Sequence, residues 1–227
     1  MWFELSSYEL QAIRLSLIVA ANAVAIGLPL AIVVSLLLRW QRLPLRSLLN
    51  IVVHLPLVLP PVVVGWMLLV VFGIRGPIGS LLNDWFGIRL VFTAAGAALA
   101  CAVMTFPLMV RAIRLSLDSV DSGLEAAAST LGAKRLDIFL TVTLPLMAPG
   151  VVSGAIMAYA ASLGEFGAVI TFASNVPGQT QTLPLAIFTA LQTPGGEEAA
   201  AKLALISVIL AVGGLLLGEW VGKRLRP

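Results

Sequence analysis

The sequence predicts an all-α integral membrane protein with five transmembrane helices and a short cytoplasmic helix between the third and fourth, and three observations carry that prediction. Of 227 residues, 59% are hydrophobic and only 11% charged, whereas an average soluble domain is about a quarter charged. The surface must therefore face lipid. Charge-free intervals recur at the length of a bilayer core, roughly 20 residues for a helix. The basic residues gather on one side of those intervals, as the positive-inside rule requires.

The elements follow in chain order. Met1 to Leu10 carries Glu4 and Glu9 but no Lys or Arg, so it lacks the basic leader of a cleavable signal peptide and the first span is retained. That span occupies the charge-free run Leu15 to Leu38, approximately 13–38. The second fills Ser47 to Ile74, approximately 49–73, and contains Pro56, Pro60 and Pro61. Each proline removes a backbone donor, so a kinked helix beside protein or cavity water is expected. Leu90 to Val110 gives the third span, approximately 90–112, and Ile138 to Gly164 the fourth, approximately 144–165. Leu203 to Gly218 is shorter and extends to give approximately 200–221, with Trp220 as an interfacial anchor.

Phe166 to Gly196 is uncharged but holds Asn175, Pro177, Gly178, Gln179, Thr180, Gln181, Pro184, Gln192 and Pro194. Such backbone cannot face lipid. A broken, partly re-entrant segment is expected there, since a sixth span would carry the basic C-terminus outward. With five spans, Arg39, Arg42, Arg46, Arg111, Arg114, Lys134, Arg135, Lys223, Arg224 and Arg226 share one side, against Arg14, Arg75, Arg89 and Lys202 on the other. The richer side is cytoplasmic, with the N-terminus outside and the C-terminus inside. No segment is long enough to hold a second domain, so residues 1–227 read as one transmembrane domain.

The loop 115–143 is the largest polar stretch. Ser122 and Glu125 fit a capping box that starts a helix near Gly123, and Gly132 suits the left-handed position that ends it. Ala126, Ala127 and Ala128 leave its sides nearly bare, which suits close docking. A connecting helix on the membrane surface would satisfy the same composition.

From Ala127, the order Ala-Ala, three residues, Gly132, nine residues, Val142, one residue, Leu144-Pro145 resembles the signature loop of ATP-binding-cassette importer permeases. That signature is Glu-Ala-Ala, three, Gly, nine, Ile, one, Leu-Pro. Here Ala126 stands at the glutamate position, Glu125 lies one residue earlier, and Val142 replaces Ile. His54-Leu-Pro-Leu-Val-Leu-Pro-Pro-Val-Val-Val-Gly65, Ser162-Leu-Gly-Glu-Phe-Gly167, Ser174-Asn-Val-Pro-Gly178 and Gln192-Thr-Pro-Gly-Gly196 resemble the molybdate permease subfamily, from about Val52 onward.

The resemblance implies a type I importer permease (MetI-like) architecture in the bacterial cytoplasmic (inner) membrane, working as a homodimer. It implies two ATPase subunits holding ATP and Mg at the cytoplasmic face, an extracytoplasmic molybdate-binding protein, and no cofactor on this chain. Glu125, Ala126, Ala127, Ala128, Gly132, Ala133, Val142, Leu144 and Pro145 become the candidate ATPase-docking and coupling residues. Pro56, Pro60, Pro61, Ser162, Glu165 and Asn175 become candidates for the pathway or gate. Tungstate or sulfate is the alternative cargo.

Charge and motif chemistry narrow the remaining classes. Glu165 is the sole carboxylate of a long uncharged stretch, so it should meet a basic group such as Arg75 or Arg89, or backbone donors. No Lys or Arg lies inside a span, which fits a conduit that leaves tight anion recognition to another protein. The basic balance, +3 with a pI near 9.5, is accounted for by the collars of the spans and calls for no nucleic acid. No phosphate-binding Gly-rich loop followed by Lys-Ser/Thr occurs, so ATP hydrolysis is expected elsewhere. A secondary transporter or channel would call for intramembrane charges for ion coupling. A membrane enzyme would call for a His/Cys cluster, a Ser/His/Asp set or paired carboxylates. His54 reads as hydrogen-bonded structure and Cys101 as a small core hydrophobe.

Overall fold

A computed structural model describes residues 5–40 and 44–225, without the side chains of Glu219 and 221–225. Glu4, Arg42 and Arg226, used above for leader and orientation, lie outside the described residues, as do the side chains of Lys223 and Arg224. Helix α1 runs Ser7–Arg39, opened by a capping box in which Ser6 and Glu9 bond reciprocally at 3.2 and 2.7 Å. Its buried face is Ala12, Ser16, Val19, Ala23, Gly27, Ala31, Ser35 and Leu38. Steps of three and four between mostly small residues let another backbone approach closely, which is how helices associate without a hydrophobic drive in lipid. The partner is α5, Ala94–Asp118. A Cβ on Gly27 would run into Met109 Cε of that helix.

The second span departs from expectation. Instead of one kinked helix over 49–73, the chain forms α2, Arg46–Val58, and α3, Pro61–Phe72, bent by 119°. Leu59 and Pro60 are extended, at ψ 144° and 136°. A residue before proline is pushed out of the helical region, and two consecutive prolines offer no donor to carry the ladder across. Among the described residues, four other helices are long and apolar enough to cross a membrane, and this bent pair meets the same length and composition jointly.

Helix α4, Pro77–Phe86, ends on Gly87 at φ +65°. The third span starts at Ala94 and not at residue 90, because the Thr93 hydroxyl accepts from Gly96 N at 3.0 Å and caps the helix there. It runs past 112 to Asp118, since Arg111 and Arg114 continue the helix beyond the apolar run.

Much of the predicted coupling loop 115–143 is helical. Helix α6, Ser122–Thr130, is followed by α7, Arg135–Ile138, a π-turn Phe139–Thr143, and α8, Leu144–Leu163. The last three form one 29-residue helix. In the π-turn Leu144 N–H bonds back to Phe139 O, a five-residue step that seats the donorless Pro145 in the following turn. Helix α8 meets α5 through Gly150 and Gly154. A Cβ on Gly150 would lie 2.7 Å from Ala112 O, and one on Gly154 3.3 Å from Ala112 Cβ.

The uncharged segment breaks into α9, Gly167–Ala173, and α10, Leu183–Gln192, both far short of a span. Helix α9 packs on α3 so tightly that a Cβ on Gly65 would lie 2.8 Å from Ala168 O. Phe166 and Phe188 bridge the two short helices with ring centroids 5.2 Å apart. Helix α11, Glu197–Leu225, closes the chain. The packing is uneven: 61% of the membrane window of α5 is buried and 11% of that of α11. Helix α5 is thus the axis of the bundle.

Candidate functional site

Helix α6 is capped otherwise than expected. Asp121, not Ser122, is the N-cap: its Oδ1 accepts from Gly123 N at 2.8 Å. A short side chain one residue earlier reaches the orphan amide, leaving the Glu125 carboxylate free. That carboxylate turns inward to Arg39 at the end of α1, accepting from Nη1 at 2.8 Å and Nη2 at 3.1 Å. Its Oε1 also accepts from the Thr143 hydroxyl at 2.6 Å. Burial by itself would raise the Glu125 pKa, but the hydrogen bonds from Arg39 and Thr143 and the adjacent guanidinium charge hold it below the usual carboxylate value. One side chain therefore ties together α1, α6 and the π-turn before Leu144-Pro145. The one-residue offset of the glutamate is what allows this, since each helical step rotates a side chain by about 100°.

The outer side of α6 is apolar and uncovered. Leu124, Ala127, Ala128 and Leu131 recur at i, i+3, i+4 and i+7, with Leu124 50% and Leu131 88% exposed. No residue of α6 is buried. Gly132 sits at φ +89°, and Ala133 N bonds to Ala128 O at 3.1 Å, the glycine-terminated helix end expected there. Val142 is half-buried and Pro145 exposed. Leu124 and Leu131 are missing from the candidates drawn from sequence, although their spacing on either side of the alanines marks the stripe.

The gate candidates fall into two groups. Pro61 and Glu165 come together at the α3–α9 crossing, where a Cβ on Gly167 would lie 2.8 Å from Pro61 Cβ. Glu165 accepts from Ala168 N at 2.9 Å and so caps α9. Of the two partner types expected for it, backbone donors are present, while Arg89 donates instead to Asn83 Oδ1 at 2.9 Å. Ser162 is buried beside Cys101, its carbonyl 3.8 Å from Cys101 Sγ, and its own hydroxyl has no partner. Pro56 lies inside α2, one turn before the bend.

Asn175 stands apart in the α9–α10 connection. Its Nδ2 donates to Thr189 Oγ1 at 2.8 Å and its Oδ1 accepts from Gln181 Nε2 at 2.8 Å. Gln181 is buried in that network, while the buried Thr180 hydroxyl accepts from Val176 N at 3.0 Å and donates to Ser174 O at 3.2 Å. Ser174 before them holds φ +67° and ψ −170°, a region nearly confined to glycine that costs of order 1–3 kcal/mol. His54 Nδ1 lies 2.8 Å from Asn50 O, one turn back. No group of three or more potential metal-ligating side chains occurs among the described residues.

A family model described as binding-protein-dependent transport system inner membrane component matches residues 23–227. The chain belongs to that family. Among curated relatives of this transport component, the molybdenum transport system permease protein ModB of Escherichia coli (strain K12) is 56% identical over 219 residues, 96% of each chain. The protein of the same description from Haemophilus influenzae is 53% identical over 218 residues, 96% of this chain and 95% of that one. In fold, the transport component is similar to a bacterial ABC transporter that imports the acidic polysaccharide alginate (TM-score 0.77, 17% identity, 98% and 82% of the two chains). It is also similar to the inward-facing MetNI methionine ABC transporter (TM-score 0.69, 15% identity, 96% and 94%). At those identities the solved structures speak to fold alone.

Proposed function

We propose that the chain is the membrane-spanning permease subunit of an ATP-driven importer for molybdate, acting by alternating access. The single observation that carries the cargo is the 56% identity over 96% of both chains to a molybdenum permease. It extends through both the coupling and the gate segments, whereas a shared fold would leave the substrate open.

Two copies of the chain form the pathway. Around the α3–α9 crossing, Val62, Trp66 and Met67 are exposed, an apolar face that a second copy covers on a two-fold axis. An ATPase subunit docks on each α6 stripe, with ATP and Mg held there and none on this chain. An extracytoplasmic binding protein delivers the dianion to the outer side, near Arg75, Arg89 and Asn175. ATPase closure presses on α6, and the Arg39–Glu125–Thr143 contact passes the displacement to α1 and α8 together. At the outer end, Glu165 orders α9 against Pro61, and a shift of that crossing opens or closes the path.

Reconstitution with the ATPase and binding protein tests this. ATP-dependent molybdate uptake is expected, with tungstate and sulfate competing according to their fit. Uptake driven by an ion gradient without the ATPase overturns the reading; sulfate transport with no molybdate uptake moves the chain to the alternative cargo.

A further inference from the structure

We propose that the junction of α1, α2 and α5 is a binding site for a phosphate-class oxyanion. A cleft of about 270 Å³ opens there, lined by Leu38, Arg46, Ser47, Asn50, Ile51 and Arg114. Among the described residues, two guanidiniums and no carboxylate line it. The ion pairs among the described residues, Arg39–Glu125 and Lys202–Glu198, involve none of its lining residues. Two like charges sharing one cleft repel each other, and a dianion relieves both.

The guanidiniums are fixed and incompletely used. Arg46 Nε donates to Leu38 O at 2.8 Å, which anchors the group and leaves its terminal nitrogens without a hydrogen bond among the described residues. Arg114 Nη1 donates to Asn50 Oδ1 at 3.0 Å, while its Nε is buried with no partner. A buried donor left without an acceptor is costly. The Nη1–Nη2 edge of Arg46 is a two-donor fork that matches two oxygens of a tetrahedral anion, and Arg114 Nη2 offers a further donor. The Ser47 side chain adds a further donor on the wall of the cleft. Asn50 fixes the Arg114 guanidinium, and Leu38 and Ile51 supply an apolar flank that continues onto the exposed outer face of α2 at Leu48 and Val52. The same chemistry takes the phosphate of an anionic phospholipid, whose chains would lie along that flank, or a free oxyanion. The inference does not rest on the cargo proposed above.

Thermal unfolding of the full chain in phosphate-free detergent tests it in two arms. One arm titrates inorganic phosphate against sodium chloride at equal ionic strength; the other adds phosphatidylglycerol against phosphatidylcholine. At about tenfold excess over the dissociation constant, bound ligand raises the wild-type midpoint by roughly 3–5 °C. A shift in the phosphate arm assigns a free-oxyanion site, and a shift in the phosphatidylglycerol arm alone a lipid site. Arg46→Gln and Arg114→Gln abolish the shift, and Arg111→Gln, exposed on the same helix, keeps it. If Arg114→Gln does not fold, the wild type and Arg46→Gln decide. No wild-type shift in either arm, or equal loss in Arg111→Gln and Arg46→Gln, overturns the proposal.

Discussion

Glu125 shows how much a single register step decides. At the family position its carboxylate would point along another face of α6; one residue earlier it reaches Arg39 and Thr143. The pair is about a quarter exposed on each side, so its contribution to stability is modest, about 1 kcal/mol or less. On the proposed mechanism its main consequence is mechanical. Glu125→Gln should lower molybdate uptake per ATP hydrolysed several-fold while shifting the melting temperature little. Arg39→Gln should do the same, and the double variant no more than either, because the two residues act through one contact. The sign of the pH effect follows from the depressed carboxyl. The ion pair's stabilisation is complete above the unfolded value near pH 4.3 and is lost as pH falls through the lower folded value. The melting difference between wild type and Glu125→Gln should therefore be flat from about pH 5 to 8 and shrink below about pH 4. Sequence alone paired Glu125 with Ser122 because a capping box is local; the contact it actually makes spans 86 residues, and no spacing rule encodes that.

At the scale of elements, the apolar intervals located the helices and missed their ends, for identifiable reasons. Thr93 caps α5 late, Arg111 and Arg114 carry it onward, and the π-turn joins the supposed loop to α8. Close approach between helices is encoded in small residues whose partners only the fold reveals. Gly150→Ala drives a methyl against Ala112 O and should destabilise by about 1–3 kcal/mol, a drop of several degrees in thermal unfolding. Gly213→Ala in α11, with nothing within 4 Å of the added Cβ, should be neutral or stabilising by about 0.5–1 kcal/mol. On α6, Leu131→Asp puts a charge into the exposed stripe. It should reduce recovery of the ATPase with the chain at least tenfold in pull-down, as an interface anchor worth above about 1.4 kcal/mol would, and leave the melting temperature unchanged.

For the whole molecule, composition and charge bias were enough to read an all-helical membrane architecture and to suggest which end faces the cytoplasm. Single cysteines at Leu131 and Gly195, both outside the apolar spans, test that orientation against a background where Cys101 is buried. An impermeant thiol reagent should label the Gly195 position in intact cells and the Leu131 position only after permeabilisation; the reverse pattern inverts the topology. The arrangement of the outer segments was less legible. Pro56, Pro60 and Pro61 announced a kink, but whether a proline pair bends or breaks a helix depends on what receives the second half. Here Gly65 and Gly167 let α3 and α9 meet almost backbone to backbone, and the break is held by that contact.

The proline pair also sets the stiffness of the molecule. Among the described residues no backbone hydrogen bond runs from α3 back into α2: Leu59 N closes on Leu55 O, and Val63 and Val64 start anew from Pro60 O. A continuous helix behaves as a strut that transmits thrust along its length. This one is two struts on a joint that no hydrogen bond crosses, so a push arriving at one half is delivered to the other as a change of angle, resisted by the packing of α3 on α9.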